Sequence, residues 1–492
     1  MIDPFASATA LLQALRARRI SSLELTDLYI GRIERHDAKV NVVAVRDFER
    51  ARAAARAADA ARSRGEERPL LGLPLTLKES INVRGLPTCC GVAAWKDFVS
   101  QHDAPATLRL QAAGGVILGK TNIPVGLADW QSVNPVYGRT NNPWDLARSP
   151  GGSSGGAAAL AAGFSALEVG SDIGGSIRVP AAFCGVYGHR PSDTALPRSG
   201  QFPLPPAPNP AVVMGVQGPL GRAAEDLELA MDLLAGADIG EDVAWKLALP
   251  RPRAERLKDF RVAILQLPPW VPVDAEIDAG LERVAALLGS LGARVRRAQP
   301  PETGDWREHY RLYRRLLCAM MASRVPAAER SRWAQMQRAV GEEFAQAAAD
   351  GTEASVSDYF GWLLQREKFR AAWRSFFLDC DIVLAPITLV PAFPHTELAD
   401  PLLVSAEHAK VLINGKAERY VIQLFPPSIA TLAGQPATAF PTGLSKGGLP
   451  LGLQAIGPYL EDRTPLRFTA LLAQEIGGFV APPAFAAGLV QP

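Results

Sequence analysis

From about Leu70 onward the chain is written in short apolar runs closed by glycine or proline, at 73–77, 115–118, 166–169, 261–265, 382–385 and 451–456, with helix-length stretches between them. Runs this short suit strands buried on both faces better than helices, and strands that alternate with helices assemble into a sheet covered on both sides. The opening differs. Apolar positions recur at helical spacing over 6–35, and 48–63 is an Ala/Arg-rich segment of the same period. The pattern predicts one large α/β domain over 1–492, built on a mixed, twisted sheet with helices on both faces. Within it lie a helical segment at 1–65, a core at 66–200 and a helical region at 300–380 that concentrates rings such as Trp306, Tyr310, Trp333 and Trp373. Most of those rings are expected to pack against the sheet and a few to line a pocket. A proline-rich stretch at 202–210 reads as a surface loop.

Composition narrows the function classes. With 48% hydrophobic and 21% charged residues the chain is not disordered, and 52 basic against 50 acidic residues leave no electrostatic case for nucleic acid. Five cysteines (Cys89, Cys90, Cys184, Cys318, Cys380), scattered without paired spacing, argue against a disulfide framework or a structural zinc site. No stretch reaches the roughly 20 apolar residues of a membrane span. Arg16, Arg18 and Arg19 interrupt the N-terminal apolar stretch, so a signal peptide is not expected and a cytoplasmic location is.

Three glycine-rich signals compete for the chemistry. Gly114-Gly115-Val116-Ile117-Leu118-Gly119-Lys120-Thr121 matches a phosphate-loop pattern, but Val116 to Leu118 read as a strand and Pro124 follows where a helix should run. Gly151-Gly152-Ser153-Ser154-Gly155 matches the nucleophile elbow of α/β-hydrolases. That elbow needs a strand before it, whereas Pro135, Gly138, Asn141, Asn142 and Pro143 make this approach rich in turns. A Ser-His-Asp esterase built on it would also need His189, His309, His395 or His408. The third signal, Asp172-Ile173-Gly174-Gly175-Ser176, follows the run at 166–169. A strand ending in two glycines lets successive N–H groups converge on one developing negative oxygen, with the Ser176 hydroxyl beside them.

Lys78 adds weight to the third signal. It ends the alternating run Leu73-Pro74-Leu75-Thr76-Leu77, on the face opposite the leucines, in a chain with ten lysines among 52 basic residues. A lysine can lose its proton on burial, whereas an arginine effectively cannot. To act as a base near neutral pH its pKa must fall roughly three pH units below about 10.4, a cost of about 4 kcal/mol supplied by desolvation and hydrogen bonding. The bland alternative is a lysine whose stem covers apolar surface while its ammonium stays in water.

These residues resemble the amidase signature enzymes. Leu71-Gly72-Leu73-Pro74 through Lys78-Glu79-Ser80 and Gly85-Leu86-Pro87-Thr88 look like the family's lysine motif, and Ser149-Pro150-Gly151-Gly152-Ser153-Ser154-Gly155-Gly156 like its Gly/Ser signature. The stretch from Gly170 to Arg178 looks like its nucleophile turn, and the resemblance continues to 448–457. It implies Ser176 as the acylated nucleophile, Lys78 as the base and Ser153, after a cis peptide bond, as the relay between them. The N–H groups of Ile173, Gly174, Gly175 and Ser176 would form the oxyanion hole, Trp130 and Gly152 would contact substrate, and Asp172 would pair with Arg178 to hold the turn. Val125 stands where the family often has glutamate, and the separation of Ser153 from Ser176 is one residue short, a deletion placed near the helix at 157–162.

The implied function is hydrolysis of a small-molecule amide, with aryl amides, anilides and carbamates as candidates and with no cofactor or metal. The alternatives are the amidase subunit of a transfer-RNA amidotransferase, which works with companion subunits, and the histidine-dependent esterase. Self-association is left open, and neither nucleic acid nor membrane is expected as a partner.

Overall fold

Eleven strands pair into one continuous sheet in the computed structural model, which describes residues 2–203, 212–300, 304–399 and 402–486. In chain order they are β1 (Val43–Arg46), β2 (Pro74–Lys78), β3 (Val116–Thr121), β4 (Glu168–Asp172), β5 (Tyr187–Arg190), β6 (Val216–Gly221), β7 (Arg261–Ile264), β8 (Arg294–Arg297), β9 (Ile382–Pro386), β10 (Ala437–Leu444) and β11 (Pro450–Ile456). Their order across the sheet is β1-β3-β2-β4-β6-β5-β10-β11-β9-β7-β8. β3, β2 and β4 run parallel, as do β9, β7 and β8, and the strands between are antiparallel, so the sheet is mixed. Each apolar run singled out in the sequence has become one of these strands. Every residue of β2, β3, β4, β9 and β11 is buried, which is why those runs do not alternate with polar residues.

Local sequence explains the helix boundaries. Ser21 and Glu24 form a capping box that opens Ser22–Val40, and Ser355 and Asp358 do the same for Val356–Phe376. Asn41 and Gly434 close Ser22–Val40 and Phe425–Ala433 in the left-handed conformation. The aromatic-rich region is helical as expected, with helices Trp306–Met321, Ala327–Arg338, Glu343–Thr352 and Val356–Phe376. Tyr310, Tyr313 and Trp373 are buried in the core, while Trp333, Tyr359 and Phe360 face a cleft. Most of the proline-rich stretch lies outside the described residues. Among the described residues no helix is long and apolar enough to cross a membrane.

Candidate active site

β4 carries the chain into the turn at 173–176, and the helix Arg178–Cys184 carries it away. Gly175 has φ +91°, and a Cβ there would lie 2.8 Å from both Pro427 Cγ and Val179 Cγ2, so both conformation and space require glycine. The Asp172 carboxylate fastens the turn from inside. It accepts from the N–H of Gly175 at 3.0 Å and of Ile177 at 3.1 Å, and from Arg178 Nε at 3.1 Å and Nη2 at 3.0 Å. Arg178 donates onward to Gln454 Oε1 at 2.7 Å, Thr431 Oγ1 at 2.8 Å and Pro427 O at 3.0 Å, which ties the turn to β11 and to the helix Phe425–Ala433. Burial pushes the Asp172 carboxyl up, but the guanidinium groups of Arg178 and Arg190 outweigh it and hold the pKa at about 2. The expected Asp172–Arg178 pair is therefore present and anchors the turn. The Gly175 N–H is taken up by Asp172, so of the four N–H groups expected for an oxyanion hole this one points inward.

Parallel pairing of β2 with β4 brings Lys78 beside this turn. Lys78 is 0% exposed, and its Nζ contacts Ser153 Oγ at 2.7 Å, Ser171 Oγ at 3.0 Å, Ser154 Oγ at 3.1 Å and Ser171 O at 3.4 Å. All four are neutral oxygens, so burial dominates and lowers the Lys78 pKa to about 7. An uncharged amine has two N–H donors and one lone pair. The donors fit Ser154 and Ser171, which leaves the lone pair for the hydroxyl of Ser153. Behind the lysine, Glu168 accepts from Thr121 Oγ1 at 2.7 Å and from Thr76 Oγ1, and burial raises its pKa to about 7.

The Gly152–Ser153 peptide bond is cis. The carbonyl of Ser176 accepts from the Ser154 N–H at 3.2 Å, which holds the Gly/Ser loop against the nucleophile turn. Among the described residues no hydrogen bond joins Ser153 Oγ to Ser176 Oγ, although both hydroxyls line the same cleft. Catalytic hydrogen bonds of this kind commonly close when substrate is present.

The competing signals resolve structurally. Lys120 lies within β3 and its ammonium turns inward to Thr88 Oγ1 at 2.7 Å and to Pro87 O, so the phosphate-loop pattern is a strand. His189 is buried between Thr438 Oγ1 at 2.9 Å and Asp462 Oδ1 at 3.1 Å, and His309 bonds Ser428 at 3.3 Å. Among the described residues no histidine bonds Ser153, Ser154 or Ser176, which removes the geometry an esterase triad needs.

Two cavities meet at Ser176. The wide cleft, about 1450 Å³, is lined by Ser153, Ser171 and Ser176 and walled by apolar groups including Trp95, Val125, Phe202, Trp333 and Phe360. Arg198, Arg324, Arg330 and Arg332 also line it, against Glu329 and the already paired Asp172. The small pocket, about 80 Å³, is closed by Trp130, Gly174, Leu317, Val421 and Leu424. Trp130 donates its ring N–H to Gly174 O at 3.0 Å and so braces the turn as well as lining the small pocket. Gly152 lines neither cavity. A Cβ there would lie 2.7 Å from Asp129 O, so this glycine permits close backbone packing.

Ser154, Ser171 and Glu168 were not singled out in the sequence. Ser154 follows Ser153 directly, and Ser171 and Glu168 belong to β4, but their approach to Lys78 joins segments 76 to 93 residues apart.

Known proteins resemble this chain over most of its length. The amidase profile matches residues 24–466. The chain is 32% identical over 480 residues to a glutamyl-tRNA(Gln) amidotransferase subunit from a Roseiflexus species (strain RS-1), covering 92% of this chain and 93% of that protein. It is 32% identical over 468 residues to the indoleacetamide hydrolase of Bradyrhizobium diazoefficiens, covering 93% of this chain and 84% of that protein. A solved structure described as an amidase superposes with a TM-score of 0.77 at 27% identity, covering 96% of this chain and all, 100%, of that one.

Proposed function

The chain belongs to the amidase family, enzymes that act on carbon–nitrogen bonds other than peptide bonds, and from that premise we propose that it hydrolyses a small-molecule amide through an acyl-enzyme on Ser176. Neutral Lys78 takes the proton of the Ser153 hydroxyl, and Ser153 takes that of Ser176 as its Oγ attacks the carbonyl carbon. Oxyanion charge collects on the N–H groups of Ile173, Gly174 and Ser176. On collapse the C–N bond breaks and Ser153 returns the proton to the leaving nitrogen. Water then attacks the acyl carbon by the same relay, releasing the acid and restoring Ser176.

One observation carries this reading: a fully enclosed lysine whose nearest polar neighbours are hydroxyls and a carbonyl, with Ser153 Oγ at 2.7 Å. An ammonium there lacks a hydrogen-bonded carboxylate, so burial favours the neutral amine a base must be. The test is the mass of Ser176 after rapid quenching with an anilide substrate. An acyl adduct on wild type and its absence in Ser176→Ala, with turnover lost, is the expected result. Undiminished turnover in Ser176→Ala would contradict it.

The relatives also include amidotransferase subunits, and on that reading the chain works with companion subunits. Steady hydrolysis of simple amides by the purified single chain supports the stand-alone hydrolase. Activity only on addition of partner subunits supports the other.

A further inference from the structure

The relay residues open into only one of the two cavities. Ser153 and Ser171 line the wide cleft and are absent from the lining of the small pocket, while Ser176 and Ile173 border both. When the tetrahedral intermediate collapses, the departing nitrogen must receive its proton from the hydroxyl that took one from Ser176, which on the reading above is Ser153. The amine half of the substrate therefore faces the wide cleft. The other substituent of the carbonyl carbon is directed toward the small pocket beside Gly174 and Trp130.

We propose that the enzyme is selective for short acyl chains joined to bulky amines, with the acyl chain in the small pocket and the amine in the wide cleft. This inference rests on the acyl-enzyme reading and deepens it. The cavities differ in volume by more than an order of magnitude, about 80 Å³ against about 1450 Å³. The smaller has room for roughly half a dozen non-hydrogen atoms. Buried Leu317 and Val421 wall it, and the packed core around them resists opening for a longer chain. Gln423 Oε1, Glu407 Oε2 and Arg314 Nε and Nη1, on residues that line the small pocket, are buried with no hydrogen-bond partner among the described residues, so a short acyl group bearing a hydroxyl or amino group would satisfy one or more of them. In the balanced step the Ser176 Oγ–carbon bond forms, the carbon–nitrogen bond breaks with its electron pair leaving on nitrogen, and the nitrogen takes the Ser153 proton. Water then releases a short carboxylic acid.

The experiment uses the purified full chain and a series of 4-nitroanilides running from acetyl through butanoyl and hexanoyl to decanoyl. The expected result is kcat/KM falling by about tenfold or more from butanoyl to decanoyl. Leu317→Ala should raise the decanoyl-to-acetyl ratio about tenfold, and Val421→Ala should act in the same direction if the first variant does not fold. Rates that rise with chain length in wild type, or variants that lower every length alike, overturn the proposal. The same acyl series as 4-nitrophenyl esters, read as mass added to Ser176, separates the two ideas. Equal acylation at every length overturns the size selectivity and leaves the acyl-enzyme intact, whereas anilide turnover by a folded Ser176→Ala protein overturns the acyl-enzyme and the selectivity with it.

Discussion

Lys78 and Lys120 stand on neighbouring parallel strands one register position apart, Leu77 lying opposite Lys120 and Lys78 opposite Thr121, and both are 0% exposed. Burial lowers both, Lys78 to about 7 and Lys120 to about 8. Burial and a depressed pKa alone therefore do not distinguish a base from a structural cation. The difference lies in what each amine faces. Carboxylates favour the charge of each, Glu79 for Lys120 and Asp172 and Glu168 for Lys78, but Lys120 donates to a backbone carbonyl, Pro87 O, and to Thr88 Oγ1. Lys120, Pro87 and Thr88 line neither cavity, so a proton exchanged between that amine and the Thr88 hydroxyl has no path to a substrate. Lys78 faces three serine hydroxyls, two of which line the wide cleft, so each proton it takes has a path to a reacting atom.

Substitutions break the comparison most strongly at the amine. Lys78→Met removes the base while keeping the volume, and kcat should drop about 10³-fold with the fold retained by circular dichroism. Ser153→Ala interrupts the relay but leaves the amine, so a loss of about 10²-fold is expected in steady-state assays. The pH profile sharpens the comparison without mutation. Below about 7 Lys78 is protonated and has no lone pair, so kcat/KM should fall about tenfold for each pH unit below that value and level off above it. Lys120→Met should leave kcat within a few-fold. Its cost should appear in thermal or urea unfolding as about 1–3 kcal/mol, because Pro87 O and Thr88 Oγ1 lose a buried donor. A 10³-fold loss of kcat in a folded Lys120→Met protein would reverse the assignment of the two lysines.

Much of this was legible along the chain. The buried strands announced themselves as continuous apolar runs, and the Gly-Gly-Ser turn, the Gly/Ser loop and Lys78 could be picked out because each carries its signal within a few residues. Lys120 was also legible as a strand residue, since Val116, Ile117 and Leu118 occupy the place of a phosphate loop. Glu168 and Ser171 escaped because their roles depend on the register between β2 and β4, in which Thr76 meets Glu168 and Leu77 meets Val169, and Ser154 because the Gly/Ser loop meets Lys78 only through the fold. No local periodicity encodes that pairing. The small pocket escaped for the same reason, since its walls come from 127–130, 173–176, 314–321 and 402–424.

The claim on which the rest depends is that the Lys78 amine is uncharged near neutral pH, and carbon-13 labelling of lysine Cε reads it directly. Ten lysines give a tractable spectrum, and Lys78→Met and Lys120→Met assign the two buried signals. The Lys78 resonance should titrate near pH 7, in step with the rise of kcat/KM. A Lys78 resonance that keeps the ammonium shift to pH 9 or above while the enzyme is fully active at about pH 8 would contradict it.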